Sequence, residues 1–170
     1  SSGKSVYAYN NFISDLKTPS SNSTTGLRGI YVAGSSTIGL YYNTIYLNAT
    51  STGTNFGASG IYSSTTPTLD LRNNIVVNLS IPNGTGVVAA YRRSGINLAS
   101  YSSNSNHNLF YAGTPASNRL IFYDGTNADS TLAAFKVRVA PGDANSVTEN
   151  PPFVNVTTTP YDLRIKTSVA

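Results

Sequence analysis

The feature that most constrains this chain is an internal repeat of about 31 residues. Gly29-Ile30-Tyr31 recurs as Gly60-Ile61-Tyr62, and looser copies lie towards both ends of the sequence. The same offset relates Ile38 to Leu69, Leu40 to Leu71, Asn43 to Asn74, and Ile45 to Val76. A unit this short cannot bury an apolar face alone, so successive copies must stack on one another. The repeat therefore predicts a solenoid.

Each copy contains short stretches in which apolar and polar residues alternate, as in 38–42 and 69–72. Alternation sends one set of side chains to a core and the other to solvent, which is typical of β-strands. Segments rich in Ser, Thr, Gly and Asn, such as 50–57, indicate turns between the strands. The prediction is an all-β solenoid with about 31 residues per coil and about four to five coils. A β-sandwich is the main alternative; it explains short strands but not the regular offset.

The chain changes character after about residue 118. Residues 1–118 are predicted to form coils, and residues 119–170 a final coil, a short helix and a closing strand of the same domain. The helix is expected at about 131–138, with Asp129 or Ser130 as its N-cap and Pro141 at its end. Alternation over residues 161–165 predicts the closing strand.

An Asn recurs at one position of the repeat, as Asn11, Asn43, Asn74 and Asn108. Asn tolerates left-handed backbone geometry, and its amide can bond both its own turn and the Asn of the next coil. Stacked amides would satisfy polar groups buried at one corner of the solenoid. A row of amides that binds a ligand is the alternative, and the structural interpretation is favoured.

The composition argues against most enzyme chemistry. Charged residues make up only 11 % of the chain, there is no Cys, and there is a single His. Zinc sites and Ser-His nucleophiles therefore have almost nothing to use, and no cofactor is expected. No apolar run approaches the length that spans a bilayer. The net charge is +4, but the basic residues are scattered and Arg92-Arg93 is the only adjacent pair, which argues against nucleic-acid binding.

Acidic residues are too few for a conventional polysaccharide-cleaving site. Glycoside hydrolysis needs two carboxylates that face one cleft, and residues 1–118 contain only Asp15 and Asp70. These two occupy different positions of the repeat and are not expected to meet, so no catalytic residue is predicted. A second group, Asp124, Asn127 and Asp129, offers oxygens for a calcium ion. A turn followed by a helix cap explains that group without a metal, and this is the preferred interpretation.

Tyrosine supplies the most promising candidate for binding. Tyr31 and Tyr62 share a repeat position and Tyr91 roughly continues it, which predicts an outward aromatic ladder. Aromatic rings with a polar tip suit contacts with sugars or proteins, and equally suit plain stacking within a solenoid. Arg92 and Arg93 lie beside this ladder and are predicted to contact an anionic sugar.

Nearly the whole chain resembles a known group of proteins. The repeats and the segments 108–115 and 123–127, together with 131–135, 143–147, 152–154 and 162–163, are similar to right-handed parallel β-helix, pectate-lyase-like segments of large secreted surface proteins of Bacteroidota and related bacteria. The resemblance implies an extracellular, adhesin-like β-helix on the cell surface, and it implies no reaction. Ser130 lies in Asp129-Ser130-Thr131, which resembles the acceptor of O-glycosylation in those bacteria.

The sequence is compatible with two functions. The preferred one is a non-catalytic extracellular module with a structural or adhesive role, which forms or decorates a surface fibre. Open solenoid ends are templates for further strands, so the expected partners are copies of the same chain or neighbouring segments of a longer one, and also surface glycans. The start at Ser1 in mid-pattern and the end at Ala170 without an obvious cap agree with a segment. The alternative is a β-helix that binds or cleaves carbohydrate, as a polysaccharide lyase or glycoside hydrolase.

Overall fold

A computed structural model describes residues 3–34 and 36–167. Ser1 and Ala170, on which the expectation of a segment rests, lie outside the described residues. The described strands are β1 (Ser5–Tyr9), β2 (Phe12–Ile13), β3 (Ser23–Val32), β4 (Thr37–Tyr41), β5 (Thr44–Leu47), β6 (Phe56–Ser63), β7 (Thr68–Arg72), β8 (Ile75–Asn78), β9 (Val88–Arg93), β10 (Leu109–Tyr111), β11 (Arg119–Tyr123), β12 (Ala128–Asp129), β13 (Phe153–Asn155) and β14 (Asp162–Ile165), with one helix, α1 (Leu132–Val139), after β12.

Three parallel sheets run along the axis of the molecule and confirm the predicted solenoid. The first sheet contains β1, β4 and β7, the second β2, β5, β8 and β10, and the third β3, β6, β9 and β11, to which β12 adds one antiparallel strand. One strand from each sheet makes a coil, and the chain completes about four coils. Residues one repeat apart are direct partners across the sheets, as in Leu40 with Leu71 and Ile45 with Val76. The repeat is therefore the register of the parallel pairing.

Apolar columns fill the interior. Leu40, Leu71, Ile45, Val76 and Ile61 are almost completely buried and belong to one core cluster. Each such side chain contributes about 1.5–3 kcal/mol when it leaves water. Because an identical position recurs in every coil, the same burial is repeated along the axis, which is what stabilises a solenoid coil by coil.

Helix α1 closes the C-terminal end of the core. Its Leu132, Phe135 and Val139 are buried, and the Phe135 ring stacks on Phe122 with centroids 5.2 Å apart. The helix begins one residue later than predicted, and its N-cap is Thr131, whose side chain accepts a hydrogen bond from Ala134 N.

The predicted caps, Asp129 and Ser130, are therefore wrong. Asp129 belongs to β12, and its carboxylate binds the guanidinium of Arg138, with a 2.8 Å contact to Nη2. The Asp129 carboxylate is thus engaged by Arg138, and Thr131 supplies the side-chain acceptor at the helix N-terminus.

The last two strands do not extend the solenoid. β13 and β14 pair only with each other, in antiparallel orientation, so the predicted closing strand is present as half of a hairpin. Phe153 and Leu163 pack with Tyr46 and Val77 in a cluster of their own. Among the described residues no helix has the length and apolarity needed to cross a bilayer.

Candidate functional site

The four repeated Asn residues form one column, which we call the Asn column. The first three Nδ2 groups donate to the Oδ1 of the next coil: Asn11 to Asn43 at 2.8 Å, Asn43 to Asn74 at 3.0 Å, and Asn74 to Asn108 at 2.9 Å. The backbone N–H of each of these three residues also donates to the same Oδ1. Asn43, Asn74 and Asn108 are buried, so the column satisfies polar groups at the corner between the first and second sheets.

The left-handed residue at this corner is not the Asn itself, which corrects the sequence-based account. Positive φ angles of 55° to 58° occur at the residue before each Asn: Asn10, Tyr42, Asn73 and His107. The preceding residue makes the bend, and the Asn that follows turns its amide into the column. Three of these four residues are Asn or His, which tolerate this conformation better than most residue types, and Tyr42 is the exception.

The Asn column ends at Asp143, which is bonded to Asn108; we call this the lower end of the column and the Asn11 end its upper end. Its carboxylate accepts from Asn108 Nδ2 at 2.9 Å, from Ser146 Oγ at 2.6 Å and from the Tyr101 hydroxyl. Burial and the adjacent Asp143 raise the pKa of Tyr101 well above its usual value. These contacts end the column inside the protein, so its lower end presents no free amide.

The upper end of the Asn column is different. Within the described part of the chain, Asn11 Oδ1 accepts no hydrogen bond, whereas the Oδ1 atoms of Asn43, Asn74 and Asn108 each accept two. The first coil is also the uncovered one: Val6 is 52 % and Phe12 61 % exposed.

The predicted ladder of Tyr31, Tyr62 and Tyr91 is wrong at its third member. Tyr91 is 0 % exposed, and it pairs with Ile61 in the interior column. Arg92 takes the outward position beside Tyr62, because the third coil reaches this position after 30 residues rather than 31. Tyr123 is the partner of Arg92 in the next coil and continues the row.

An outward row of two arginines and three tyrosines therefore crosses the third sheet; we call Arg28, Tyr31, Tyr62, Arg92 and Tyr123 the Arg–Tyr stripe. The Arg28 guanidinium lies 4.8 Å from the Tyr31 ring centre and 4.5 Å from that of Tyr62. The Arg92 guanidinium lies 5.8 Å from Tyr62 and 4.8 Å from Tyr123. Cations over aromatic faces at these distances are attracted by the ring electrons.

Sequence reasoning missed Arg28 and Tyr123. Tyr123 follows Tyr62 by 61 residues, which is one less than two repeats, and a search that allowed one coil to be shorter would have found it. Arg28 lies three residues before Tyr31 and reaches the stripe only through its long side chain, for which the repeat carries no signal.

Arg93, the other predicted sugar contact, points inward and is 1 % exposed. Its guanidinium donates to the Tyr91 hydroxyl at 3.0 Å, to Asn97 O at 3.0 Å and to Ser100 Oγ at 2.7 Å. A guanidinium enclosed by three protein partners cannot reach a ligand, so Arg93 does not belong to the candidate site. It faces inward because alternate residues of β9 face opposite sides of the sheet.

The outer face of the first sheet carries a smaller polar cluster. Asp70 accepts two hydrogen bonds from Arg72, at 2.9 and 2.6 Å, and one from the Tyr41 hydroxyl at 3.0 Å. Burial and this contact raise the pKa of Tyr41, and the hydrogen bond to Asp70 raises the pKa of Arg72. Asp15, the other early acid, pairs with Lys17 at 2.8 Å. Each carboxylate thus has a basic partner of its own.

The possible calcium ligands are also held separately. Asp124 accepts from Thr126 N, Asn127 N and Asn127 Nδ2 at 2.7 to 3.0 Å, which is a local turn. Asp129 is bound by Arg138. Ser130, the predicted glycosylation site, is half-buried between β12 and α1. In the residues that the structure covers, no three His, Cys, Asp or Glu side chains converge as metal ligands would.

These features define the class of protein as a parallel β-solenoid with an outward Arg–Tyr stripe. No family model matches the chain, and no curated protein or solved structure matches it either.

Proposed function

We propose that this chain is a non-catalytic structural segment of an extracellular β-helical rod. In this proposal a further parallel coil from the same polypeptide covers its N-terminal coil, and α1 closes the other end. The observation that carries the proposal is the difference between the two ends of the solenoid.

The N-terminal coil has the capacity to pair again. β1, β2 and β3 are each bonded to a neighbour on one side only. The side chains of Val6, Ala8, Ile30 and Ile38 line an apolar groove of about 320 Å³ beside them. Open parallel edges of this kind are templates for another strand. An upstream coil of the same repeat would also supply donors to Asn11 Oδ1.

The C-terminal end lacks this capacity. β12 pairs with β11 in antiparallel orientation, and Leu132, Phe135 and Val139 of α1 cover the core beneath. In the other two sheets, isolated bridges from Tyr101 and Asn106 meet β7 and one from Val147 meets β10. A second copy therefore meets less free parallel edge here than at the N-terminal coil, which argues against a fibre of identical chains stacked head to tail. The extracellular setting is supported by the resemblance of segments 108–115 and 123–127 to bacterial surface proteins.

A grafted coil tests the proposal. Residues 36–66 are duplicated in front of Lys4, which places the grafted Asn43 one repeat before Asn11. We expect slower amide exchange in residues 5–9 and a higher free energy of unfolding than in the parent chain. The matched control carries the same graft with its Asn43 replaced by Ala, and should lose part of the gain because Asn11 Oδ1 again lacks a donor.

Two results would contradict the proposal. One is a graft that leaves exchange in residues 5–9 unchanged. The other is electron microscopy in which the ungrafted chain forms filaments with coils continuous between copies, since this would make the chain itself the unit of a polymer. Detection of the protein on intact cells of its source, by protease treatment of the cell surface, checks the extracellular setting.

A further inference from the structure

We propose that the Arg–Tyr stripe binds an acidic polysaccharide, a glycan chain that carries carboxylate or sulfate groups. The inference goes beyond the structural role proposed above, because it names a ligand. Arg28 and Tyr31 lie on β3 in the N-terminal coil, so a covering coil would flank that end of the stripe, whereas Tyr62, Arg92 and Tyr123 lie on later coils.

The stripe contains positive charge that the protein does not neutralise. The ion pairs formed by the described residues join Lys17, Arg72, Arg138 and Arg164 to aspartates, and none involves Arg28 or Arg92. Both guanidinium groups lie within 6 Å of the Tyr62 ring centre. Burial lowers the pKa of Arg92, Tyr62 and Tyr123 oppose this effect, and the charge of Arg28 makes the smallest contribution, a lowering one. An anion close to both guanidinium groups would offset their mutual repulsion.

The donors of the stripe are incompletely used. Arg92 Nη1 donates to Thr24 O at 2.9 Å, and neither Arg28 nor Arg92 forms an ion pair with a described residue. The Nε atoms of both are buried, as is that of Arg93, so the terminal nitrogens are the donors that a ligand would use. A guanidinium has five N–H donors in a flat fork that matches the two oxygens of a carboxylate or sulfate group. Stacking against tyrosine rings holds each fork in one orientation, so less freedom is lost when a ligand binds.

The spacing of the stripe suits a linear chain of sugars. Successive coils of a parallel solenoid are about 4.8 Å apart, and a row on its side is therefore an extended ladder. Tyr31 is 56 % exposed, and its ring is tilted by 56° to that of Tyr62 at 5.6 Å, which leaves ring surface available to the apolar face of a pyranose. Charges that alternate with aromatic faces match a glycan with acidic groups along its length.

A nucleic acid fits the stripe less well. Duplex DNA carries a charge about every 1.7 Å of axis, and its binding usually needs many phosphate contacts. The stripe offers two guanidinium groups in a chain of net charge +4. Sparse charge on a polysaccharide is the better match.

Binding of purified protein to polygalacturonate and to chondroitin sulfate, measured by isothermal titration calorimetry, tests the inference, with dextran as the uncharged probe. We expect binding to at least one acidic glycan, none to dextran, and weaker binding as salt is added. Polygalacturonate alone would indicate carboxylate recognition, and chondroitin sulfate alone would favour sulfate; both support the inference.

Matched variants locate the site. Arg28→Gln and Arg92→Gln should each weaken binding about fivefold or more, because each removes a charge-assisted contact. Lys166→Gln makes the same change in net charge at an exposed position directly after β14, and should change the affinity less than twofold. Arg92→Lys keeps the charge but loses the flat fork, and should weaken binding while leaving the thermal midpoint near that of the parent chain.

The inference is overturned if Lys166→Gln weakens binding as much as Arg92→Gln, since net charge alone would then explain it. It is also overturned if dextran binds equally well, or if single-stranded DNA binds more tightly than both acidic glycans. If no glycan binds but the grafted coil gives the expected result, the glycan-binding inference is refuted and the structural proposal is still supported.

Discussion

Truncation of one amide in the middle of the Asn column should destabilise the protein far more than the same change at its upper end. Asn74 is 1 % exposed, and its side chain makes hydrogen bonds to Asn43 N, Asn43 Nδ2, Asn108 Oδ1 and Leu40 O, at 2.8 to 3.0 Å. Asn74→Ala removes all of them and leaves Asn43 N without the acceptor it has at this corner. A buried group that loses its partner costs about 1–3 kcal/mol, so we expect a loss of about 3 kcal/mol.

The control is Asn11→Ala, the same substitution at the same repeat position. Asn11 is exposed, and its amide donates only to Asn43 Oδ1 and Tyr9 O. Water can replace these contacts, so we expect a cost below about 1 kcal/mol. The comparison separates burial of the column from any intrinsic effect of Asn in this turn.

Urea unfolding measures both variants. The chain has 12 Tyr and no Trp, so tyrosine fluorescence reports unfolding directly and circular dichroism provides a second probe. A loss of 3 kcal/mol should lower the thermal midpoint by about 6–12 °C for a chain of this size. Equal costs for Asn11→Ala and Asn74→Ala, or a cost below about 1 kcal/mol at Asn74, would refute the role assigned to the column.

Three further changes follow from the same structure. Tyr42→Gly should raise the free energy of unfolding by about 1 kcal/mol, because Tyr42 has a φ of 56° that costs an ordinary residue about that much; urea unfolding with no gain would contradict this. Phe135→Ala should cost about 3–5 kcal/mol and expose apolar surface to the dye ANS, since the ring is fully buried against Phe122; unchanged dye binding would contradict its role in closing the core. Burial opposes ionisation of Asp124, but hydrogen bonds from Asn127 and the adjacent backbone outweigh it and hold the pKa of Asp124 below its usual value of 3.8. That contribution to stability is present above the unfolded pKa and is lost as the pH falls through the lower folded value, so urea midpoints measured below about pH 4 should decline less steeply in Asp124→Asn than in the parent chain.

The interior of the coils was largely predictable from the sequence. Residues such as Leu40 and Leu71 stand one repeat apart because they are hydrogen-bonded neighbours across a parallel sheet. Side-chain direction alternates along a strand, so the inward face follows from the pattern of apolar residues alone. The position of Asn43 and Asn74 in one column follows from the same offset.

Positions where a coil changes length were not predictable in this way. The third coil is one residue shorter between Tyr62 and Arg92, and a shift of one residue exchanges the two faces of a strand. For that reason Tyr91 and Arg93 lie inside and Arg92 outside. The left-handed residue before each Asn, such as Tyr42, was also missed, because turn chemistry alone favoured the Asn.

The sequence by itself determined that this protein is a parallel solenoid with apolar columns and a column of amides, since these depend on a local period that every coil repeats. Only the tertiary structure decided which end is closed and which charges remain unpaired. Phe135 covers the core from outside the repeat, and Arg28 reaches Tyr62 of the next coil through its long side chain. Contacts of this kind depend on side-chain reach and on the path of irregular segments, for which a periodic sequence pattern carries no signal.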